Sequence, residues 1–227
     1  MGTPACFVRL AGCNLWSGLE TSRGGGKGQC ALWCDTYFRG GKTYTPTELR
    51  HILMRKMAGW TDPLVVITGG EPLLQLRKPD GTRLVSGLLD DGADVAIETN
   101  GTIWGDVVDM LNEHPRGHIT VSPKPLIGFS FRGLNAETEQ SLEHVVVRKG
   151  TDLKVIVPTP FDLSSFAEWE FEHRFLQPMD IHHVKDDNRG EISGLPVSSS
   201  PFRVARSLAE QHGWRVSVQT HKLLGLP

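Results

Sequence analysis

The 227 residues carry 24 Lys and Arg against 26 Asp and Glu, a formal charge of −2 at pH 7, and this near balance lacks the basic footprint of a nucleic-acid-binding protein. A chain of this length can bury one substantial core without disulfide staples, so one domain over residues 1–227 and a small-molecule partner are expected. No apolar run approaches the ~20 residues of a membrane span, and MGTPACFVRLAG lacks the basic-then-apolar layout of a signal peptide, so the expected location is the cytoplasm.

In chain order, the apolar run Ala5 to Leu10 predicts a first strand. Residues 17–29, with Gly24, Gly25 and Gly26 at their centre, read as a loop inserted among the cysteines. Thr45, Pro46 and Glu48 compose an N-cap, an N1 proline and a capping box, so a helix is predicted from Pro46 to Met57, with Gly59 just past its end. Strands follow at Leu64 to Thr68, Ala93 to Glu98, His118 to Ser122, Leu153 to Pro158, Phe175 to Gln177 and Arg215 to Gln219. Helices are predicted at Thr82 to Asp90, Gly105 to Glu113, Asp162 to Glu170 and Pro201 to His212. The polar, turn-rich stretch 180–200 reads as a surface insertion. Alternation of this kind implies an α/β fold with a mainly parallel sheet.

Four cysteines punctuate the chain, and three of them, Cys13, Cys30 and Cys34, crowd at or just beyond the C-terminal end of the first strand. That edge is where open α/β sheets place their sites. Cys6 lies inside an apolar run and reads as a small core residue. Three thiolates can hold three irons of a cubane and leave the fourth iron open to an exogenous ligand. The alternative is zinc, although a structural zinc site normally takes four protein ligands.

A second feature is Thr68-Gly69-Gly70-Glu71-Pro72 at the end of the strand LVVIT. Two glycines there allow backbone to approach a ligand closely, and free backbone groups suit a zwitterionic amino acid. Taken alone, the same word is an ordinary turn.

Together, the cysteines and the glycine word resemble the radical S-adenosylmethionine (SAM) superfamily. Longer words resemble one branch of it, the 7-carboxy-7-deazaguanine synthases: FVRLAGCNLW from Phe7, WCDT from Trp33, TGGEPLLQ from Thr68, ETNGT from Glu98, VSPKP from Val121, LKVIVP from Leu153, QPMD from Gln177 and QTHKLLGLP from Gln219. They span nearly the whole chain in family order.

The resemblance implies a partial, modified (β/α) barrel of the radical SAM type. It also implies a carbon–nitrogen lyase that contracts the ring of 6-carboxy-5,6,7,8-tetrahydropterin to 7-carboxy-7-deazaguanine with loss of ammonia, toward queuosine. Cys13, Cys30 and Cys34 would ligate a [4Fe–4S] cluster whose open iron chelates SAM. One electron would then release a 5′-deoxyadenosyl radical that takes hydrogen from the pterin, with SAM regenerated afterwards. SAM contacts would come from Trp33, Asp35, Gly69, Gly70, Glu71, Glu98, Ser122, Pro123, Lys124, Gln177, Pro178, Met179 and Asp180. Arg9 would fork onto the pterin carboxylate, Thr68 and His221 would bond its ring, and the α-carboxylate of Pro227 would accept from its guanidine-like edge. Mg²⁺ would be held through Thr36. A homodimer and a reduced flavodoxin or ferredoxin as electron donor complete the expectation.

Two departures stand beside it. Cys30 and Cys34 are separated by three residues where the usual word has two, and family members begin earlier, with a further strand and a LQGEG-like word. Two other functions stay open at this point: another radical SAM reaction such as glycyl-radical activation, and a non-catalytic iron–sulfur or zinc protein.

Overall fold

The structure is a computed structural model that describes residues 3–19, 21, 30, 32, 34, 36–126, 141–157, 159, 161–179 and 201–219. Seven strands form one sheet whose spatial order is the chain order: β1 (Ala5–Leu10), β2 (Leu64–Gly69), β3 (Asp94–Thr99), β4 (Gly117–Val121), β5 (Lys149–Val157), β6 (Glu170–Pro178) and β7 (Arg215–Val216). Every neighbouring pair is parallel. Among the described residues β1 and β7 do not pair with each other, so the sheet is open, as a partial barrel requires. The expected insertions at 17–29 and 180–200 lie largely or wholly outside the described residues.

Helices α1 (Pro46–Lys56), α2 (Leu73–Leu76), α3 (Pro79–Asp90), α4 (Asp106–Glu113) and α5 (Pro201–His212) fill the connections. The α1 start is set by local chemistry. The Thr45 hydroxyl accepts from the Glu48 N–H, and the Glu48 carboxylate accepts from the Thr45 N–H at 2.8 Å. This satisfies two orphan donors of the first turn reciprocally. Helix α3 begins earlier than its periodicity suggests, because Pro79 occupies N1, where its missing N–H costs nothing.

The two faces of the sheet differ chemically. Val65, Ile67, Val95, Ile97, Ile119, Leu153 and Val155 are sealed on one face, with Leu84, Val85, Leu88, Val107, Val108 and Leu111 of α3 and α4 in the same core cluster. Each fully buried aliphatic side chain contributes about 1.5–3 kcal/mol. The alternate residues point to the other face and include Arg9, Thr68, Glu98, Thr120, Asp152 and His173. Along β2 to β5 burial alternates, and the second, less buried face carries these polar side chains beside Leu64, Val66 and Ala96, as the lumen side of a partial barrel.

The segment Asp162 to Glu170 corrects the sequence expectation. Only Leu163–Phe166 is helical, as a single 3-10 turn capped by Asp162, whose carboxylate accepts from the Ser164 N–H at 2.9 Å. Tertiary packing overrides the helical period. Phe166 is fully buried and meets Trp169, Trp214 and Phe161 edge-on, with ring centroids 4.8, 5.9 and 6.1 Å away. Glu170 is already paired with Lys149 as the first residue of β6. That strand is consequently much longer than the expected Phe175 to Gln177, whereas β7 is shorter than expected.

Phe166→Ala should cost about 3–5 kcal/mol, because three aromatic rings lose their common centre. Urea unfolding followed by tryptophan fluorescence measures the change.

Candidate active site

The polar side chains gather where β1 to β6 end. β1 runs out at Leu10 and turns through Gly12 into Cys13, while β2 ends at Gly69 and continues as Gly70 and Glu71. These two ends lie side by side: the Gly70 N–H donates to the Leu10 carbonyl at 3.3 Å and the Glu71 N–H to the Gly12 carbonyl at 2.8 Å. A Cβ on Gly69 would sit 2.2 Å from the Leu10 carbonyl oxygen, and one on Gly70 would sit 2.3 Å from the Gly12 carbonyl oxygen and 2.7 Å from Cys13 Cβ. The glycines are therefore needed for backbone-to-backbone contact, and that contact sets Cys13 against the TGGEP turn.

Glu71 is fully buried. Its Oε1 accepts from the Thr99 hydroxyl at 2.7 Å and the Leu73 N–H at 3.0 Å, and its Oε2 accepts from the Asn100 N–H at 2.7 Å. Burial pushes its pKa up, against these three hydrogen bonds and the nearby charge of Lys124. The side chain is thus directed into the protein and fastens the TGGEP turn to the end of β3. From there the Asn100 amide donates to Asn14 at 3.1 Å, and the Asn14 amide donates to Thr102 at 2.7 Å. The residue after Cys13 is thereby tied to the same strand end.

The three cysteines stand around this edge, all half-buried. Cys13 Sγ accepts the Leu15 N–H at 3.4 Å, the Cys30 N–H donates to the Leu15 carbonyl at 3.0 Å, and Cys30 bridges Leu126 as an isolated antiparallel pair. Burial raises the Cys13 thiol pKa, opposed by backbone N–H bonds and assisted by the negative charges of Glu71 and Cys30. Lys124 lies beside the other two. Burial pulls its pKa down, as does the ammonium of Lys154, whereas Cys30, Cys34 and Glu98 push it up. Among the described residues no three His, Cys, Asp or Glu side chains converge on a single-ion site. A cubane asks for a wider triangle, because each cysteine ligates a different iron. Three thiols, a backbone donor on one sulfur and a half-buried lysine beside the other two fit an anionic cluster.

Glu98 occupies the middle of the lumen. Its Oε2 accepts from the Thr68 hydroxyl at 3.2 Å and its Oε1 meets Lys154 Nζ at 3.1 Å. Burial would raise the carboxyl pKa, but the charge and hydrogen bond of Lys154, the Thr68 hydroxyl and the charge of Lys124 outweigh it and hold the group below the usual glutamate range. Next along the edge, Lys124 Nζ donates to the buried Ser122 hydroxyl at 2.6 Å, and Pro123 between them is buried. Gln177 and Pro178 pair with Ile156 and Val157, and the Met179 N–H continues the ladder to the Val157 carbonyl at 2.9 Å.

Arg9, exposed on β1, lies in register with Thr68, and its guanidinium has no ion-pair partner among the described residues. Thr36 is half-buried two positions past Cys34. Trp33, Asp35, Asp180, His221 and Pro227 lie outside the described residues. Lys154, Thr99, Asn100 and Asn14 were not singled out from the sequence. For Lys154 a signal existed: a charge at the alternating position of an otherwise apolar strand faces whatever the apolar side does not.

No protein-family model matches the chain. Among curated proteins, it is 35% identical over 235 residues to the 7-carboxy-7-deazaguanine synthase of Burkholderia multivorans, covering all of this chain and 91% of that protein. The same coverage holds for the synthases of Caulobacter vibrioides, at 37%, and Bordetella pertussis, at 34%.

Glu71→Ala strands three buried donors and should lower stability by about 3 kcal/mol or more. Glu71→Gln keeps the volume but offers one carbonyl oxygen, so one N–H is left facing an amide donor and the cost falls to roughly 1–3 kcal/mol. Denaturant midpoints of the two variants order them.

Proposed function

As the chain belongs to the 7-carboxy-7-deazaguanine synthase family, we propose that it is a lyase of the radical SAM type, converting 6-carboxy-5,6,7,8-tetrahydropterin to 7-carboxy-7-deazaguanine and ammonia on the route to queuosine. The reading treats residues 1–227 as one domain. The observation that carries it is the packing of the TGGEP backbone directly against Cys13, which sets a face suited to an amino acid beside a thiol suited to iron.

Cys13, Cys30 and Cys34 would hold a [4Fe–4S] cluster, whose chemistry is to deliver one electron to bound SAM. The chain's own work is binding, orientation and charge. Backbone at Gly69 and Gly70 receives the methionyl end of SAM, with Glu71 fixing that turn from behind rather than reaching the ligand. Ser122, Pro123 and Lys124 and, across the edge, Gln177, Pro178 and Met179 bracket the remainder of SAM, and by the resemblance Trp33, Asp35 and Asp180 would add contacts to it. The Arg9 guanidinium takes the substrate carboxylate as a bidentate fork and Thr68 bonds its ring, while Glu98 offers its carboxylate to SAM; by the resemblance, His221 would bond the polar edge of the pterin and the Pro227 carboxylate would accept from its guanidine-like donors. Thr36 supplies an oxygen to Mg²⁺, a cation that keeps most of its ligands as water and substrate oxygen.

A homodimer, a reduced flavodoxin or ferredoxin as electron donor and a cytoplasmic setting belong to the same reading. No helix among the described residues is long and apolar enough to cross a membrane.

The test is an anaerobic assay of reconstituted protein with dithionite, SAM, Mg²⁺ and the carboxypterin. Wild type should form 7-carboxy-7-deazaguanine, and Cys34→Ala should lose both product and the visible absorbance of the cluster. SAM cleavage without deazaguanine would overturn the substrate assignment, and an intact cluster with neither reaction would overturn the enzyme. Arg9→Ala, which removes a charged two-bond contact, should raise KM roughly tenfold to hundredfold with the cluster spectrum unchanged.

A further inference from the structure

Lys154 reaches an unusual distance for its partner. It stands on β5 and Glu98 on β3, with β4 between them, so the two side chains together bridge two strand spacings, about 9.6 Å of sheet. On β4, Thr120 pairs in register with Glu98 on one side and Asp152 on the other, and Lys154 lies two residues further along β5, so the bridge runs diagonally across β4. The bridge is short, 3.1 Å, and only 22% of the Lys154 side chain is exposed. Both oxygens of Glu98 are then assigned, one to Lys154 and one to Thr68. Each carboxylate oxygen has a second lone pair, and those are what remain for a ligand in the lumen.

We propose that Lys154 is a positioning residue: it holds the Glu98 carboxylate charged and in one rotamer, so that its free lone pairs accept from an N–H or O–H donor of the ligand that fills the lumen. The inference rests on the synthase reading for its catalytic consequence, though not for the pairing itself. An unpaired carboxylate in a lumen emptied of water by ligand would take up a proton and lose its acceptor character. Lys154 is the foremost of the groups that oppose this, ahead of the Thr68 hydroxyl and Lys124. Lys124 also lowers Glu98, but its ammonium is shared with Cys30, Cys34 and Ser122; Arg9 lies two strands from Glu98 at the sheet edge; Asp152, near His118 and His173, adds a negative charge close to the lysine.

The sign of the pH effect follows. Removing the cation moves the Glu98 pKa upward, so an activity that needs the charged form is lost at higher pH as acidity increases. Three variants separate positioning from structure. The carboxyl ¹³C resonance of Glu98, assigned by its absence in Glu98→Gln, should titrate below the ordinary glutamate range in wild type and about 1–3 pH units higher in Lys154→Met, with Lys154→Arg close to wild type. In the holoenzyme the acid limb of kcat/KM should move up by the same interval in Lys154→Met, a tenfold loss per unit below the limb, and return in Lys154→Arg. Introduced on top of Glu98→Gln, Lys154→Met should add no further loss beyond about twofold.

An unmoved Glu98 resonance overturns the pairing whether or not the enzyme turns over, and a double variant as multiplicatively damaged as the two singles overturns the positioning role. A shifted resonance in a protein that makes no deazaguanine leaves the pairing standing and indicts the synthase reading instead. Should Lys154→Met fail to fold, Lys154→Gln, which keeps a polar tip, carries the same titration and the same two outcomes.

Discussion

The contact on which the site depends is the buried carboxylate of Glu71. Four chain segments meet through it: the turn after β2 that bears it, the start of α2 through Leu73, the end of β3 through Thr99 and Asn100, and, through Asn100 and Asn14, the turn after β1 that bears Cys13. Burying a carboxylate is expensive unless its lone pairs are used, and here three donors converge on it. The sheet alone would leave those turns as independent loops. With the carboxylate in place they become one rigid rim, and the glycines in front of it allow that rim to close without a Cβ in the way.

Behind the rim, the sheet divides its labour by parity. The even and odd positions of β2 to β5 go to different solvents, one to helices α3 and α4 and the other to a lumen with Thr68, Glu98, Thr120, Asp152 and Lys154. Such a lumen cannot be stabilised by apolar packing. Its groups satisfy one another instead, by the Thr68–Glu98–Lys154 chain and by the Thr120 hydroxyl donating to Asp152 at 3.4 Å. The lumen is therefore ordered before ligand arrives, which lowers the entropic cost of binding.

Much of this was legible in the sequence because the signals were local. The capping box of α1, the apolar runs of β1 to β5 and the two glycines of TGGEP each state their structure within a few residues. The failures were non-local. Asp162 to Glu170 looks helical until Phe166 finds two tryptophans and a phenylalanine and Glu170 finds Lys149. The side-chain partners of Glu71 are likewise partly distant: besides its neighbour Leu73 they are Thr99 and Asn100 of ETNGT, a word nearly thirty residues on. Lys154 was passed over for the same reason: its meaning lies in Glu98, two strands away. The cysteines, glycines and strand ends were visible individually; which carboxylate turns inward and which turns to the lumen required the fold.

Strand order equal to chain order has a temporal side as well. Cys13 emerges early in synthesis, but the backbone that positions it, from Gly69 to Glu71, and the strand end that fastens Glu71 come much later, and a parallel pair cannot form until its crossover is complete. Non-local pairing of this sort is slow. The nascent chain thus exposes Cys13 well before the neighbours that fix it, and its final setting exists only once β1, β2 and β3 are joined. The setting of Cys13 is consequently complete only after Asn100 has emerged, when more than half of the chain is still to come.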